Sequence, residues 1–313
     1  MSDPKPAEAL FERKLIYPDV DCRSRLARLV GLDDQKARLT KILATLVNPE
    51  GLSTWLSRHH SDALPVLDWV LRRPPLVILA GDVGSGKTEL AETIGDAVAR
   101  QEGIEITLLP LSLASRGEGR VGEMTALVSA AFDETAAEAA KLKGKAGRGA
   151  RGAVILLVDE ADALAQSRES AQMHHEDRAG VNAFIRGIDR LANTKSPAAV
   201  IMCTNRLAAL DPAVKRRAAD ILSFGRPDDR QRRAILASAF DMLDLSGETV
   251  TAVAAATGHI PGREYGFSFS DITQRLLPSI VLDAYPDGPV TDRRAVEIAC
   301  AMEPTPPFKE KLS

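Results

Sequence analysis

The stretch GDVGSGKT, Gly81 to Thr88, constrains this chain more than any other. It follows an apolar run, Leu76–Ala80, and precedes a helical pattern, Glu89–Arg100. Glycines at these intervals let successive backbone N–H groups turn toward one side, and a helix start adds its own unsatisfied N–H groups and the positive end of its dipole. G-x-x-x-x-G-K-[ST] between a strand and a helix is therefore a phosphate cradle. Gly81, Asp82, Val83, Gly84, Ser85, Gly86, Lys87, Thr88 and the following Glu89 are expected to bind ATP. Lys87 would reach the β and γ phosphates, and Thr88 would hold Mg²⁺.

The loop also fixes the fold class. Leu76–Ala80 and Val154–Val158 are apolar at every residue, as strands covered on both faces of a parallel sheet are. Ile104–Leu109 and Ala199–Cys203 read as two more strands. Met124, Leu127, Val128 and Ala131 share one helical face, and so do Val181, Phe184, Ile185 and Ile188. Alternation of this kind predicts an α/β domain with a parallel sheet and helices on both faces. After Arg226-Pro227, four helices are expected, over Asp228–Leu243, Gly247–Thr257, Ser268–Ala284 and Thr291–Met302, and these form a small all-helical domain.

A second site supports nucleotide chemistry. The apolar strand in VILLVDEADAL ends in Asp159 and Glu160. Asp159 can bind Mg²⁺ through water, and Glu160 can orient and deprotonate an attacking water. Another strand, AVIMCTN, ends in Asn205, which can hydrogen-bond the γ-phosphate or that water.

Bulk composition excludes several classes. A net charge of −3 over 313 residues argues against a dedicated nucleic-acid binder. The basic stretch Lys141, Lys143, Lys145, Arg148 and Arg151 has no interleaved aromatics for base stacking and reads as a solvated loop. Cys22, Cys203 and Cys300 form no C-x-x-C pair and fit free thiols in a reducing cytoplasm. The apolar runs are too short to span a bilayer, and MSDPKPAEALFERK holds no signal-peptide core, so the expected location is cytoplasmic with no membrane association. His174-His175 is not expected to bind metal, because no further ligands stand at helical spacing.

GDVGSGKT, LLVDE, CTN, LDPAVKRRAADI and GFSFSDI occur in the order of AAA+ ATPases, and the resemblance runs from LVGLDDQKARL (29–39) to the last helix. It implies a division into an N-terminal extension (1–28), an AAA+ nucleotide-binding domain (29–226), a helical lid (227–303) and a tail (304–313). It also implies that Val30, Gly31 and Leu32 line the adenine pocket, with Asp33 capping the next helix. Arg216 and Arg217 would project into a neighbouring subunit's ATP site, which implies a homo-oligomeric ring, a hexamer. A guanidinium there meets the charge that spreads over the γ-phosphoryl oxygens with paired donors. Lys215 competes for the same role.

DEADALAQSR…DRAGVNAFIRGIDRL…AVIMCTN resembles the pachytene-checkpoint AAA+ ATPases and their bacterial relatives. That group remodels HORMA-domain proteins, unlocking a closed form wrapped around a peptide, and its bacterial members are linked to cyclic-oligonucleotide antiphage systems. Central loops of such a ring grip polypeptide. The first falls in SLASRGEGRVGEM (112–124), where Leu113, Arg116, Arg120 and Val121 are the available gripping residues, and 166–176 forms a second. The family places an aromatic in the first loop, and this stretch has none. Ser270 stands where the group carries a nucleotide-sensing arginine, with Arg275 one turn onward as the substitute. With about thirty residues ahead of the nucleotide core, the substrate-binding N-terminal domain of many relatives is expected to be absent or minimal. Trp55 and Trp69 are expected to be packing anchors.

Three functions compete on these residues. They are an ATP-driven motor that remodels a HORMA-like partner, an ATP-dependent switch or scaffold that does not thread polypeptide, and a DNA-acting AAA+ protein.

Overall fold

The computed structural model describes residues 10–60, 65–112, 123–144, 149–164 and 175–307. In chain order these form β1 (Leu15–Tyr17), α1 (Val20–Arg28), α2 (Asp33–Val47), α3 (Pro49–His59), α4 (Val66–Leu71), β2 (Leu76–Gly81), α5 (Lys87–Glu102), β3 (Glu105–Ser112), α6 (Glu123–Leu142) and β4 (Gly152–Asp159). A 3-10 turn (Ala161–Leu164) leads to α7 (His175–Thr194), β5 (Ala198–Thr204), α8 (Pro212–Lys215) and β6 (Ala218–Phe224). The remainder is helical: α9 (Asp229–Asp241), α10 (Gly247–Ala256), a π-helical segment (Asp271–Leu276), α11 (Leu277–Ala284) and α12 (Asp292–Ala301). No described helix is long and apolar enough to cross a membrane.

The six strands form one sheet in the order β1-β3-β4-β5-β2-β6. β3, β4, β5 and β2 run parallel, and β1 joins the edge antiparallel. Every residue of β5, and all of β4 but Asp159, is buried, as their unbroken apolar runs demand. Register pairs Ala80 with Thr204, Val158 with Met202 and Ser112 with Asp159. The ends of β2, β4 and β5 therefore line up along one edge.

Two strands escape the sequence reading. β1 has three residues, too few for a period to show, and its anchor is a long-range contact: the Tyr17 hydroxyl donates to the Glu92 carbonyl on α5. Gly95 makes room for that ring, since a Cβ there would lie 2.4 Å from Tyr17 Cε2. Burial pushes the Tyr17 phenol well above its ordinary pKa, so it stays a neutral donor. β6 begins inside KRRAADI and takes the sheet edge beside β2. The third lid helix also differs from expectation. It is helical from Phe269 and passes through a π-helical segment, Asp271–Leu276, before regular α-helix resumes with Pro278 in its first turn.

Trp55 and Trp69 do not anchor packing. They are 45% and 75% exposed, and neither α3 nor α4 buries any residue. Trp55 stacks at a tilt on the rings of His59 and His60, on its own helix and just beyond it. An aromatic reads as core from sequence only if another element covers it, and here none does among the described residues.

Contacts divide the chain into two compact units. One comprises Met1–Leu26, Asp34–Ala80 and Thr88–Ser223, and the other Ala27–Asp33, Gly81–Lys87 and Phe224–Ser313. The core of the first lies under β2, β4 and β5, with α6 and α7 packed through Phe132 and Phe184, edge to face at 5.4 Å. The second buries Leu236, Phe240, Val253, Ile272, Leu276 and Ile280 from the lid helices, with Phe267 from the turn before the π-helical segment.

Gly187 on α7 lets the Phe132 ring of α6 approach its backbone: a Cβ would stand 2.3 Å from Phe132 Cγ. Alanine would gain about 1 kcal/mol in helix propensity, but overpacking against a buried ring costs about 1–3 kcal/mol. Gly187→Ala is expected to lower stability, read as a reduced urea midpoint with an unchanged slope.

Candidate nucleotide-binding site

The glycine-rich loop Gly81–Thr88 joins β2 to α5, as its motif requires. Gly84 and Gly86 have φ of 71° and 89°, in the left-handed region that favours glycine. Gly81 is needed for a different reason. A Cβ there would lie 1.8 Å from the Phe224 carbonyl oxygen, which accepts the Asp82 N–H at 3.3 Å. Lys87 is only 6% exposed, and its ammonium donates to the carbonyls of Gly81 at 3.0 Å and Asp82 at 2.8 Å. A buried ammonium satisfied by the loop's own carbonyls is a positive charge held in place. The loop as built fits a polyphosphate.

The 27–33 turn and the lid surround this loop within the same unit. The Ser270 N–H donates to the Gly84 carbonyl at 2.9 Å, and a Cβ on Gly84 would meet Ser270 Cβ at 2.7 Å. Ser270 thus touches the loop through its backbone, while its hydroxyl donates to Gln274. Leu32 is buried and approaches Gly86, where a Cβ would be 3.1 Å from Leu32 Cδ1. Gly31, at φ 83°, accepts a hydrogen bond from Gln231. Gln231 also closes a capping box with Asp228 at the start of α9. Leu32 therefore touches the loop and Gly31 the first lid helix, with Val30 just before them in the chain.

Two candidates are committed elsewhere. The Glu89 carboxylate forms a two-bond ion pair with Arg25, at 2.8 and 2.9 Å. Arg275 donates to Asp271 and Thr305, so it is not directed at the loop and does not take Ser270's place. Asp271 is almost fully buried. Burial alone would raise its pKa, but hydrogen bonds from Thr305, Ser268 and Arg275 overcome that and hold it below the ordinary carboxylate range.

In the other unit, Asp159 ends β4 and accepts the Glu160 N–H at 2.8 Å. Glu160 is exposed and sits at φ 51°, a left-handed conformation uncommon outside glycine. Such strain persists only where the surroundings enforce it, and it concentrates at functional positions. Three residues on, Asp162 plays a part that sequence reasoning missed. Its carboxylate accepts the Thr204 hydroxyl at 2.5 Å, the Asn205 N–H at 3.2 Å and the Asn205 amide nitrogen at 3.4 Å. A carboxylate three residues past a strand end was visible in DEAD; its target, 42 residues away, was not.

The two arginines differ. Arg217 forms a two-bond ion pair with Asp189 on α7, at 2.7 and 2.9 Å, and these bonds raise its pKa further. Arg216 is exposed, with no side-chain partner among the described residues. Asp220, beside them in sequence, pairs instead with Arg38 on α2. Leu113, Arg116, Arg120, Val121 and His174 lie outside the described residues.

Removing the Asp162 carboxylate strands the Thr204 hydroxyl and the Asn205 N–H. Asp162→Ala should lower stability by about 1–3 kcal/mol. Thr204→Val should cost less, and the double variant should fall short of the sum. Urea unfolding of the four proteins checks this.

Residues 77–226 match the model of the family described as "ATPase family associated with various cellular activities (AAA)". The chain is 64% identical over 308 residues to CD-NTase-associated protein 6 of Escherichia coli (strain MS 115-1), covering 98% of this chain and 99% of that protein. A chain of the solved E. coli MS115-1 HORMA:CdnC:Trip13 complex superposes with a TM-score of 0.90 at 62% identity, over 98% of this chain and all of that one. The solved structure of Rhizobiales Trip13 superposes with a TM-score of 0.76 at 56% identity, over 95% of this chain and all of that one. The phosphate loop, its acidic strand end and a 64% identity running the length of both chains lead to one conclusion: the chain belongs to the AAA ATPases, in the group that includes CD-NTase-associated protein 6.

Proposed function

We propose that this ATPase is a ring motor, most simply a hexamer in the cytoplasm, that remodels a HORMA-domain protein in bacterial antiphage signalling by opening a closed form wrapped around a peptide. One observation carries the reading: 62% identity, at a TM-score of 0.90, to a chain of a solved complex that contains a HORMA protein. In this reading residues 29–226 are the nucleotide-binding domain and 227–303 its lid, flanked by an N-terminal extension and a tail.

Bound ATP with Mg²⁺ supplies a γ-phosphoryl group whose transfer to water drives the work. Gly81–Lys87 cradle the phosphates with backbone N–H groups and the Lys87 ammonium. The Thr88 hydroxyl and, through water, the Asp159 carboxylate would hold Mg²⁺. The exposed Glu160 carboxylate takes a proton from the attacking water. Asn205, steadied by Asp162, orients that water or the γ-phosphate. Val30, Gly31 and Leu32 receive the adenine. The exposure of Arg216 favours it as the group offered to a neighbouring subunit, with Arg217 holding the segment against α7 through Asp189.

The aromatic-free stretch 112–124 favours a second reading, an ATP-dependent switch that assembles without threading. Substituting Arg116, Arg120 and Val121 separates the two. Loss of remodelling with hydrolysis intact supports the motor, and full remodelling supports the switch.

Glu160→Gln is expected to bind ATP, hydrolyse it at least about 10²-fold more slowly and retain a HORMA-domain protein in an ATP-dependent pull-down. A trap that captures no such protein would sink the remodelling reading. Arg216→Ala should keep ATP binding and lose on the order of 10³-fold in turnover. Arg217→Ala should lose less and melt earlier. Mixing Arg216→Ala with Glu160→Gln subunits should recover activity, because some interfaces then pair an intact Glu160 with an intact Arg216. No recovery at any ratio would rule out a finger acting between subunits.

A further inference from the structure

The glycine-rich loop carries an apparent contradiction. A loop that receives several negative charges contains a carboxylate of its own, Asp82, immediately after Gly81. That carboxylate is only 16% exposed, and one oxygen already accepts the Val83 N–H at 2.8 Å, a loop donor of the kind phosphate would use. Left alone, it would repel an incoming polyphosphate and compete for the loop's N–H groups.

Arg226 resolves this. It lies 144 residues away, 14% exposed, and its Nε donates to the second Asp82 oxygen at 2.8 Å. Both terminal nitrogens are engaged as well. Nη1 donates to the Gly266 carbonyl, Nη2 donates to the Thr305 carbonyl at 2.7 Å, and the Tyr265 ring lies 4.8 Å from the guanidinium carbon. Thr305 is held in turn from its other side. Its N–H and hydroxyl donate to Asp271, the hydroxyl at 2.6 Å, and Arg275 donates to the Thr305 hydroxyl oxygen at 3.1 Å. One planar cation therefore meets three segments: the loop, the 265–267 turn of the lid, and the chain beyond α12. All three belong to the same compact unit.

We infer that Arg226 is a positioning residue for nucleotide binding: it neutralises Asp82 so that the loop can accept phosphate, and it tethers that neutralisation to the C-terminal segment at Thr305. The inference rests on the reading of Gly81–Thr88 as the nucleotide loop. Arginine suits the role because its fixed fork serves three acceptors at once, which a lysine point charge cannot do.

The experiment uses the full chain and reads ADP affinity by calorimetry, KM and kcat for ATP, and melting temperature without nucleotide. Wild type is measured first. Failure of wild type to bind ADP would overturn the loop reading together with this inference, an outcome distinct from any difference between variants. Arg226→Ala should weaken ADP about tenfold or more, with the loss falling on KM more than on kcat. Asp82→Asn in the Arg226→Ala background should restore most of the affinity, because the repelling charge is gone. Arg226→Lys should fall between.

A double variant as weak as the single one overturns the proposal. So does an Arg226→Ala protein that melts earlier yet binds ADP within twofold of wild type. If Arg226→Ala does not fold, Asp82→Asn alone decides. It should bind ADP at least as tightly as wild type, and a tenfold loss overturns the proposal. Removing residues 304–313 should weaken ADP by a smaller factor and add nothing once Arg226 is alanine. A full additional loss in that background overturns the tether to Thr305.

Discussion

Parallel hydrogen bonding among β2, β3, β4 and β5 is the constraint on which the rest of the architecture hangs. Buried parallel strands have no freedom to slip, because a one-residue shift would exchange their two faces and strand their backbone donors. The register that puts Ala80 level with Thr204 and Ser112 level with Asp159 therefore decides where every polar strand end emerges. Asp162 then fastens the segment after β4 to the tip of β5 with hydrogen bonds to a hydroxyl and an amide. A carboxylate accepting several donors is a stiff joint, and it removes a degree of freedom from Asn205 without burying it.

Legibility in the sequence followed the range of the interaction. β2, β4 and β5 were readable because their apolar runs are local properties, and the glycine loop because its spacing is contained in eight residues. The order of motifs carried the family. β1 was not readable, since its three residues acquire meaning only through Tyr17 reaching α5. Asp162, Asp189 and Arg226 were missed for the same reason: their partners stand 42, 28 and 144 residues away. KRRAADI looked like two unbalanced charges because its nearest acid, Asp220, is spent on Arg38, while Asp189 balances Arg217.

The loop holds two opposite charges, each with its own hydrogen-bond partners. Lys87 turns its ammonium onto the Gly81 and Asp82 carbonyls, while the Asp82 side chain turns away to Arg226. Backbone oxygens thus accept from the ammonium and fix its position in the loop.

The exposure of α3 and α4 has an optical consequence. The chain has two tryptophans, Trp55 and Trp69, and both are exposed, one of them beside two imidazole rings. Indole emission from this protein therefore originates on α3 and α4, at rings open to solvent. It is a local lamp, placed to report what settles on or departs from that stretch of surface.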